Sequence, residues 1–288
     1  MTETSTTTGT PAATAEPSRA IELHIHEVTP RLLTVLKVID LSPVMRRVIF
    51  GGDDMTKAVF PFRPMAVSDH VKLVFPELAT GELHLPEAGP DRLVMPEGRP
   101  RPLFRDYTVR AFDPDTLEVS IDFVLHDHGV AGRWAIAASP GQQLGVLGPR
   151  GSHLYPTGFG HYLLAADETG LPALARWLEE LPANLSCDVF ISVDSAAGEI
   201  DLPHHPGAVV RYLHRNVLGV TALEDAVLSW RPAGDDLFVW AAGEAAAMKT
   251  IRRHVRDVLG VPKGHTDIDG YWKNGVEGLD HHAADDDD

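Results

Sequence analysis

The chain has 288 residues with 41 acidic and 25 basic side chains, and its formal net charge of −16 argues against a general nucleic-acid binder. Cys187 is the only cysteine, which excludes a disulfide framework and a cysteine-ligated iron–sulfur cluster and fits a reducing cytoplasm. No segment approaches the roughly 20 apolar residues of a membrane span, and the first residues lack a signal-peptide pattern. We therefore expect a soluble, cytoplasmic protein without membrane insertion, long enough for two domains.

The first part of the chain has the pattern of short strands. Residues 1–20 carry little apolar surface, which predicts a disordered arm, and a first domain is expected over 21–156. Apolar alternation and turn residues predict strands at 33–39, 44–50, 71–75, 107–112, 117–125 and 143–147. One helix is predicted at 130–138. Many short strands joined by hairpin turns favour an antiparallel β-barrel of the six-stranded type.

The second part, residues 157–275, alternates short apolar runs with helical spacing. Strands are predicted at 162–166, 189–193, 209–213 and 237–241. Helices are predicted at 171–181, 222–229 and 248–259, the last ending at Gly260. This order is typical of a doubly wound parallel sheet that binds a nucleotide. Residues 276–288 form an acidic segment that we interpret as a solvated tail.

The strand that begins at Arg105 carries groups that suit a flavin. Side chains alternate along a strand, so Arg105 and Tyr107 share one face. Tyr107 can lie against the flavin ring or its ribityl chain, and Arg105 can neutralise a phosphate. Thr108 can hydrogen-bond the edge of the ring. Taken alone, an Arg-x-Tyr-Thr strand is more often an exposed edge with a satisfied tyrosine.

Small residues at 129–132 predict a turn that opens a helix. Backbone amides in such a turn approach a phosphate closely, and the helix dipole favours the negative charge. Arg133 and Trp134 fall in the first helical turn. Trp134 alone is more often a core residue, so it is the ordered combination that indicates a flavin site.

The turn after the first strand of the second part is a candidate nicotinamide site. The Gly-x-Gly-x-x-Gly fingerprint is absent there. In its place, Asp167 and Glu168 can reach a ribose or the nicotinamide amide, and Thr169 can cap a helix that tolerates Pro172 in its first turn. An ordinary strand–turn–helix connection fits these residues equally well.

Gly243 and Glu244 end the last predicted strand, at the carboxyl edge where open α/β sheets bind ligands. The second strand is followed by Asp194 without an arginine for a 2′-phosphate, although Arg211 and Arg215 lie on the next strand. This pattern favours NADH over NADPH.

Seven motifs resemble, in their order, the siderophore-interacting protein family. They are Arg105-x-Tyr107-Thr108-x-Arg110, Asp122-Phe123-Val124-Leu125-His126, Ala131-Gly132-Arg133-Trp134-Ala135, Gly148-Pro149-Arg150-Gly151, Asp167-Glu168-Thr169-Gly170-Leu171-Pro172, Ala242-Gly243-Glu244 and Gly270-Tyr271-Trp272-Lys273. The similarity covers about 35–275. Two positions depart from the family pattern, because His126-Asp127-His128 replaces a more glycine-rich turn and Ala166 stands where glycine is common.

The resemblance implies a ferredoxin-reductase-like fold and an FAD-dependent ferric-siderophore reductase. It implies FAD bound by Arg105, Tyr107, Thr108, Asp122, Phe123, Val124, His126, Ala131, Gly132, Arg133 and Trp134, and a nicotinamide cofactor bound at Asp167, Glu168, Thr169, Gly243 and Glu244. The chemistry then belongs to the flavin, with no protein side chain as catalyst.

Fifteen histidines include several close pairs, but no carboxylate stands at a ligand offset, and we predict no protein-bound metal. Iron would arrive as a ferric siderophore. Many siderophores are anionic, so basic residues near the flavin would attract them. Arg63, Lys249 and Lys273 are the candidates.

Our interpretation is a cytoplasmic, monomeric flavoenzyme that uses NAD(P)H to reduce FAD and then a ferric siderophore, releasing Fe(II). A flavin electron-transfer component that serves a protein partner is one alternative. A non-enzymatic siderophore carrier is another.

Overall fold

The computed structural model describes residues 17–77, 79–88, 93–100 and 102–276. Its first half contains eleven described strands and one α-helix. In chain order these are β1 (Glu22–Ile25), β2 (Pro30–Ser42), β3 (Met45–Gly51), β4 (His70–Phe75), β5 (Glu87–Ala88), β6 (Leu93–Val94), β7 (Leu103–Thr108), β8 (Ala111–Asp113), β9 (Glu118–Val124), α1 (Gly129–Ala137), β10 (Gln143–Leu147) and β11 (Gly151–Leu154).

Seven of these strands form one antiparallel sheet in the order β7, β4, β10, β2, β3, β9, β8. Alternation along β9 directs Val119, Ile121 and Phe123 into a core where all three are fully buried. Strands β7 and β9 approach each other, which curls the sheet, and α1 packs against β9 and β4. The predicted antiparallel barrel is therefore confirmed, and its sheet has seven strands where six were expected.

The single strand predicted at 107–112 is wrong, because the structure divides it into β7 and β8. The amide of Val109 donates to the carbonyl of Asp69 (2.7 Å), whereas the next amide, of Arg110, donates to the carbonyl of Ser120 (3.0 Å). The chain thus leaves the β4 side of the sheet and joins the β9 side within two residues. This crossing connects the two ends of the sheet.

The second half alternates strands and helices. It contains β12 (His161–Ala166), α2 (Leu171–Glu180), β13 (Ser186–Val193), β14 (Ala208–His214), α3 (Arg215–Leu218), α4 (Ala222–Ser229), β15 (Leu237–Glu244), α5 (Ala245–Asp257) and β16 (Thr266–Trp272). Short 3₁₀ turns lie at Asp53–Thr56, Ala196–Gly198 and Lys263–His265.

Its five strands are parallel, in the order β14, β13, β12, β15, β16. Helix α2 packs on one face, where Leu174 and Trp177 are buried, and helices α4 and α5 pack on the other. The predicted doubly wound sheet is confirmed.

Two predictions for this half need correction. Strand β16 was not predicted, because Asp267, Asp269 and Gly270 interrupt the apolar run that marks a buried strand. The last helix ends at Asp257 and not at Gly260, although its buried face is the predicted one.

The two halves meet along a shared apolar surface. Met45 and Val67 of the first half belong to the same buried cluster as Trp177 and Phe238 of the second. The candidate site lies along this joint.

Of the predicted N-terminal arm, residues 1–16 lie outside the described residues, as do residues 277–288 of the predicted acidic tail. Arg19, within that arm, pairs with Asp236 (2.7 Å) and lies over the ring of Phe159 (4.1 Å). None of the helices in the described ranges has both the length and the apolar composition of a membrane span.

Candidate flavin and nicotinamide site

The flavin strand, Arg105 to Thr108, lies at one end of the curled sheet. The ring of Tyr107 packs on Phe123 with 4.5 Å between centroids. Burial raises the pKa of Tyr107, and the charge of Arg105 opposes that shift only in part, so the phenol stays protonated near neutral pH. Arg105 is half-buried and Thr108 is buried. The strand thus presents an aromatic face, a guanidinium and a hydroxyl.

The small-residue turn opens helix α1 beside this strand. Gly129, at the first helical position, has a φ of 63°, and no described side chain caps the helix N-terminus. Its first N–H groups therefore remain available to an anion. A Cβ at position 132 would lie 2.3 Å from the carbonyl oxygen of His126, so only glycine allows this approach. Burial lowers the pKa of His126, which favours its neutral form.

The remaining predicted flavin residues differ in their surroundings. Trp134 packs on Phe50, Phe75 and Phe123 at centroid distances of 5.5–6.1 Å. Ala131 is buried against the same barrel core, Val124 is half-buried, and Arg133 is exposed. Phe123 contacts both Tyr107 and Trp134, so these aromatic rings connect helix α1 to the flavin strand.

Asp122 forms a buried ion pair with Arg47 on the barrel. Its two oxygens accept from Nε (2.6 Å) and Nη2 (2.8 Å) of Arg47, and its side chain is 1% exposed. The hydrogen bond to Asp122 raises the pKa of Arg47 despite burial. Sequence reasoning grouped Asp122 with the flavin residues, and it had no means to find its partner 75 positions away.

On the nicotinamide side, Asp167 joins three strand ends. It accepts from the amide and hydroxyl of Thr169 (2.8 and 2.5 Å), the amide of Glu244 (3.0 Å) and Nε1 of Trp272 (2.7 Å). Burial raises the pKa of Asp167, and the bonds from Thr169 and Trp272 oppose that rise. A Cβ at Gly243 would lie 2.7 Å from its Oδ2. Asp167 therefore organises the carboxyl edge of the sheet.

Glu168 and Glu244 are also held by the protein. Arg215 binds Glu168 at 2.6 and 2.9 Å, and the amide of Asp194 adds a third bond (2.9 Å). Glu244 caps helix α5 through the amide of Ala246 (2.6 Å). These carboxylates are positioning groups of the edge in this structure.

The expectation that Thr169 caps helix α2 is wrong. The N-cap is Gly170, no side chain caps it, and Pro172 falls in the first turn as expected. The hydroxyl of Thr169 instead donates to Asp167. The start of α2 offers few amides to an anion, because the amide of Leu171 donates to the carbonyl of Glu168 (3.4 Å) and Pro172 has no N–H.

A polar cluster joins the two sides of the site. The hydroxyl of Tyr271 lies near Ser68 and near Thr108 of the flavin strand, and both side chains oppose the rise in its pKa that burial causes. The hydroxyl oxygen of Ser68 also accepts hydrogen bonds from Nε1 of Trp240 (3.1 Å) and from the hydroxyl of Tyr155 (3.0 Å). The end of β16, with the nicotinamide-edge residues next to it, therefore touches the flavin strand directly. Sequence reasoning assigned no role to Ser68, Tyr155 or Trp240, which follow no pattern.

A second buried network, also missed, lies one residue further along. Asp69 is 3% exposed and accepts from the hydroxyl of Ser152 (2.5 Å), which is 2.8 Å from Nε2 of His26. Burial raises the pKa of Asp69 to about 7, although the Ser152 bond and the charge of Arg176 oppose the shift.

The predicted substrate cations occupy two surfaces. Lys273 is exposed directly after Trp272, at the end of the strand that reaches Thr108, and Arg63 is exposed on the barrel side of the joint. Lys249 lies on α5, in a groove of about 130 Å³. The other residues that line this groove are Arg252, Arg253, Arg256 and Asp257. The structure thus places Lys249 in a separate basic surface.

These residues fit a flavin dinucleotide. The donor set combines an aromatic face, a guanidinium and open helix amides, which match a ring system tied to a pyrophosphate. Gly132, which has no Cβ, lets the carbonyl of His126 approach the first turn of the helix closely. Within the described residues, no group of three or more His, Cys, Asp or Glu side chains is arranged to hold a metal.

Two family models match the chain. Residues 34–153 match the siderophore-interacting FAD-binding domain, and residues 159–275 match the siderophore-interacting protein domain.

Relatives with named activities are similar over most of the chain. The NADPH-dependent ferric-chelate reductase of Escherichia coli (strain K12) is 36% identical over 228 residues, which are 77% of this chain and 85% of that protein. The ferric vibriobactin reductase ViuB of Vibrio cholerae is 30% identical over 255 residues, 87% of this chain and 92% of ViuB. The crystal structure of a siderophore utilization protein from T. fusca has a TM-score of 0.84 and 43% identity, and covers 91% of this chain and 99% of that one.

Proposed function

Since the chain belongs to the siderophore-interacting protein family of FAD-binding oxidoreductases, we propose that it reduces ferric siderophores with electrons from a reduced nicotinamide dinucleotide. The observation that carries this proposal is the proximity of Tyr271 to Thr108, because it brings the end of β16 beside the flavin strand. A single cleft would then serve both cofactors.

Bound FAD would supply the redox chemistry, accepting two electrons from the dinucleotide and passing them singly to iron. Tyr107 would support its ring and Arg105 would neutralise its pyrophosphate together with the first amides of α1. Thr108 would hydrogen-bond the ring edge. Two ferric ions would be reduced for each dinucleotide oxidised, with one proton released to solvent.

The dinucleotide would bind at the turn 167–170, just before helix α2. Both terminal nitrogens of Arg215 are bound to Glu168, which leaves no free guanidinium there for a 2′-phosphate and supports a preference for NADH. The relative from Escherichia coli carries NADPH in its name, so both dinucleotides belong in the test.

The ferric siderophore would bind near Lys273 and Arg63, whose charges attract an anionic chelate in a chain of strongly negative net charge. Fe(II) would leave because siderophores bind it more weakly. The need for reduced nicotinamide and the buried single thiol of Cys187 support a cytoplasmic site of action. The FAD domain would span 21–156 and the nicotinamide domain 157–275.

The test is anaerobic turnover with a ferrous trap. Purified, flavin-loaded protein is mixed with NADH or NADPH and a ferric siderophore, and both flavin bleaching and the Fe(II) complex are followed. We expect bleaching by the dinucleotide and formation of the ferrous complex. Bleaching without a ferrous signal, together with fast reduction of a carrier protein, would favour an electron-transfer component. A colourless protein that binds the ferric siderophore would favour a carrier.

A further inference from the structure

We propose that the ion pair between Arg110 and Glu179 is a positioning element, which holds helix α2 and its nicotinamide turn in register with the flavin strand. This inference rests on the proposed function. Arg110 is the last residue of the flavin-strand motif. Its bond to Glu179 indicates a structural role for this residue and not a role in cofactor binding.

The pair bridges the two halves with defined geometry. Nη1 and Nη2 of Arg110 each lie 2.7 Å from one oxygen of Glu179, and Arg110 is 7% exposed. Two parallel hydrogen bonds between planar groups fix orientation as well as distance. Arg110 follows Thr108 by two residues, so the position of Glu179 is tied to that of the flavin strand.

Two other residues of α2, Arg176 and Glu180, form hydrogen bonds to the same part of the barrel. Arg176 is fully buried and donates to the carbonyls of Ala66 (2.7 Å), Arg63 (2.9 Å) and Val109 (3.3 Å). Glu180 accepts from the amide of Met65 (2.5 Å) and binds Nε of Arg176 (2.7 Å). The second half of α2 is thus bonded to both chain segments that flank the polar cluster at Ser68.

The first half of the same helix carries the nicotinamide turn. Helix α2 begins at Leu171, directly after Gly170, and Glu179 lies eight residues further, about 12 Å along the axis. Apolar residues on its inner face, among them Leu174 and Trp177, are fully buried. A helix packed in this way moves as a rigid rod, so a change at Glu179 would displace the turn at its other end.

The ion pair matters because apolar packing is incomplete on this side of the joint. A cavity of about 370 Å³ lies beside Arg110. The other lining residues are Asp40, Leu41, Arg47, Ala175, Ile200, Asp201, Leu202 and Pro203. The pair Arg47–Asp122 borders it, and the charge of Glu179 adds to the effect of Asp122 in raising the pKa of Arg47. Charged contacts therefore supplement the apolar packing on this side of the joint.

The test is a double-mutant cycle on the flavin-loaded protein. Arg110→Gln, Glu179→Gln and the double variant are mixed anaerobically with NADH or NADPH, and flavin bleaching is followed by stopped flow. We expect each single variant to be reduced about 10–100-fold more slowly, because a displacement near 1 Å costs this much in a positioned reaction. The double variant should be no slower than the slower single variant. Reoxidation of dithionite-reduced protein by ferricyanide should not change, since that step needs no nicotinamide.

A second readout needs no flavin. The amide of Met65 is bonded to Glu180 across the joint, so its hydrogen exchange in the flavin-free protein should accelerate in the Gln variants. Lys57→Gln is the matched control, because the Lys57–Asp54 pair (2.8 Å) lies entirely within the first half. Arg110→Lys keeps the charge without the bidentate geometry and should give an intermediate rate.

The outcomes separate this inference from the proposed function. If neither dinucleotide reduces the wild-type flavin, the proposed function fails and this inference fails with it. If the wild type is reduced and the Gln variants keep its rate, this inference alone is overturned. Equal slowing of ferricyanide reoxidation, or equal slowing in Lys57→Gln, would also overturn it, because general destabilisation would then explain the loss.

Discussion

Replacing Asp69 by Asn should remove a loss of stability that the wild type undergoes as the pH rises. The free energy of unfolding of the variant should therefore increase relative to that of the wild type between pH 5 and pH 8. Burial raises the pKa of Asp69 to about 7 in the folded state, against 3.8 for an unperturbed group. The folded state therefore favours the protonated acid, and the stability it contributes is present below pH 4 and lost as the pH rises through 7. Between pH 5 and pH 8 the wild type should lose about 2–3 kcal/mol that Asn, which does not titrate, retains.

Urea unfolding at pH 5, 6, 7 and 8, in a fixed excess of FAD, measures this difference. Asn preserves the acceptor for the Ser152 hydroxyl, which is 2.5 Å from Asp69, so the fold should be kept. Asp115→Asn, at an exposed turn between β8 and β9, controls for the loss of one carboxylate. Free energies of unfolding that stay parallel for wild type and Asp69→Asn across this range would refute the reasoning.

Three further substitutions test the cofactor sites. Arg105→Ala should weaken FAD binding at least about tenfold, by the loss of a charge-assisted phosphate contact, whereas Arg105→Lys should keep part of it; flavin absorbance after dialysis measures both. Gly132→Ala should lower the free energy of unfolding by about 1–3 kcal/mol, because its Cβ would lie 2.3 Å from a carbonyl oxygen, while Gly234→Ala, in open space, should change it little. Trp272→Phe removes a 2.7 Å bond to Asp167 and should raise the KM for the dinucleotide while flavin content is unchanged. Unchanged flavin retention in Arg105→Ala would contradict the first prediction. An unchanged free energy of unfolding in Gly132→Ala would contradict the second, and an unchanged KM in Trp272→Phe the third.

Both layers of the fold could be predicted because their patterns are local. Alternation over 117–125 and the apolar run over 237–241 each report burial on a sheet, and β9 and β15 lie where these patterns indicate. Strand β16 was missed because its polar residues mask that signal. The division of 107–112 was missed because it depends on which neighbour each amide finds, Asp69 or Ser120.

The roles of the charged residues were harder to predict than their presence. Asp122 and Glu168 are residue types that bind cofactors, and a sequence does not say that Arg47 and Arg215 lie within 2.6 Å of them. These partners are 75 and 47 positions away. The shared face of Arg105 and Tyr107 on β7 could be predicted because it follows from strand alternation alone.

The internal pairing of the carboxylates has a physical consequence for the proposed function. A chain with a net charge of −16 must still attract phosphates and anionic chelates to one cleft. Around that cleft Glu168 is neutralised by Arg215, Asp167 accepts four hydrogen bonds, and burial favours the neutral form of Asp69. The exposed groups beside it include Lys273, Arg63 and the first amides of α1. The cleft can therefore be electropositive in an acidic protein, and because the attraction acts over roughly a 10 Å Debye length at 0.1 M salt, added salt should weaken substrate capture before it alters the fold.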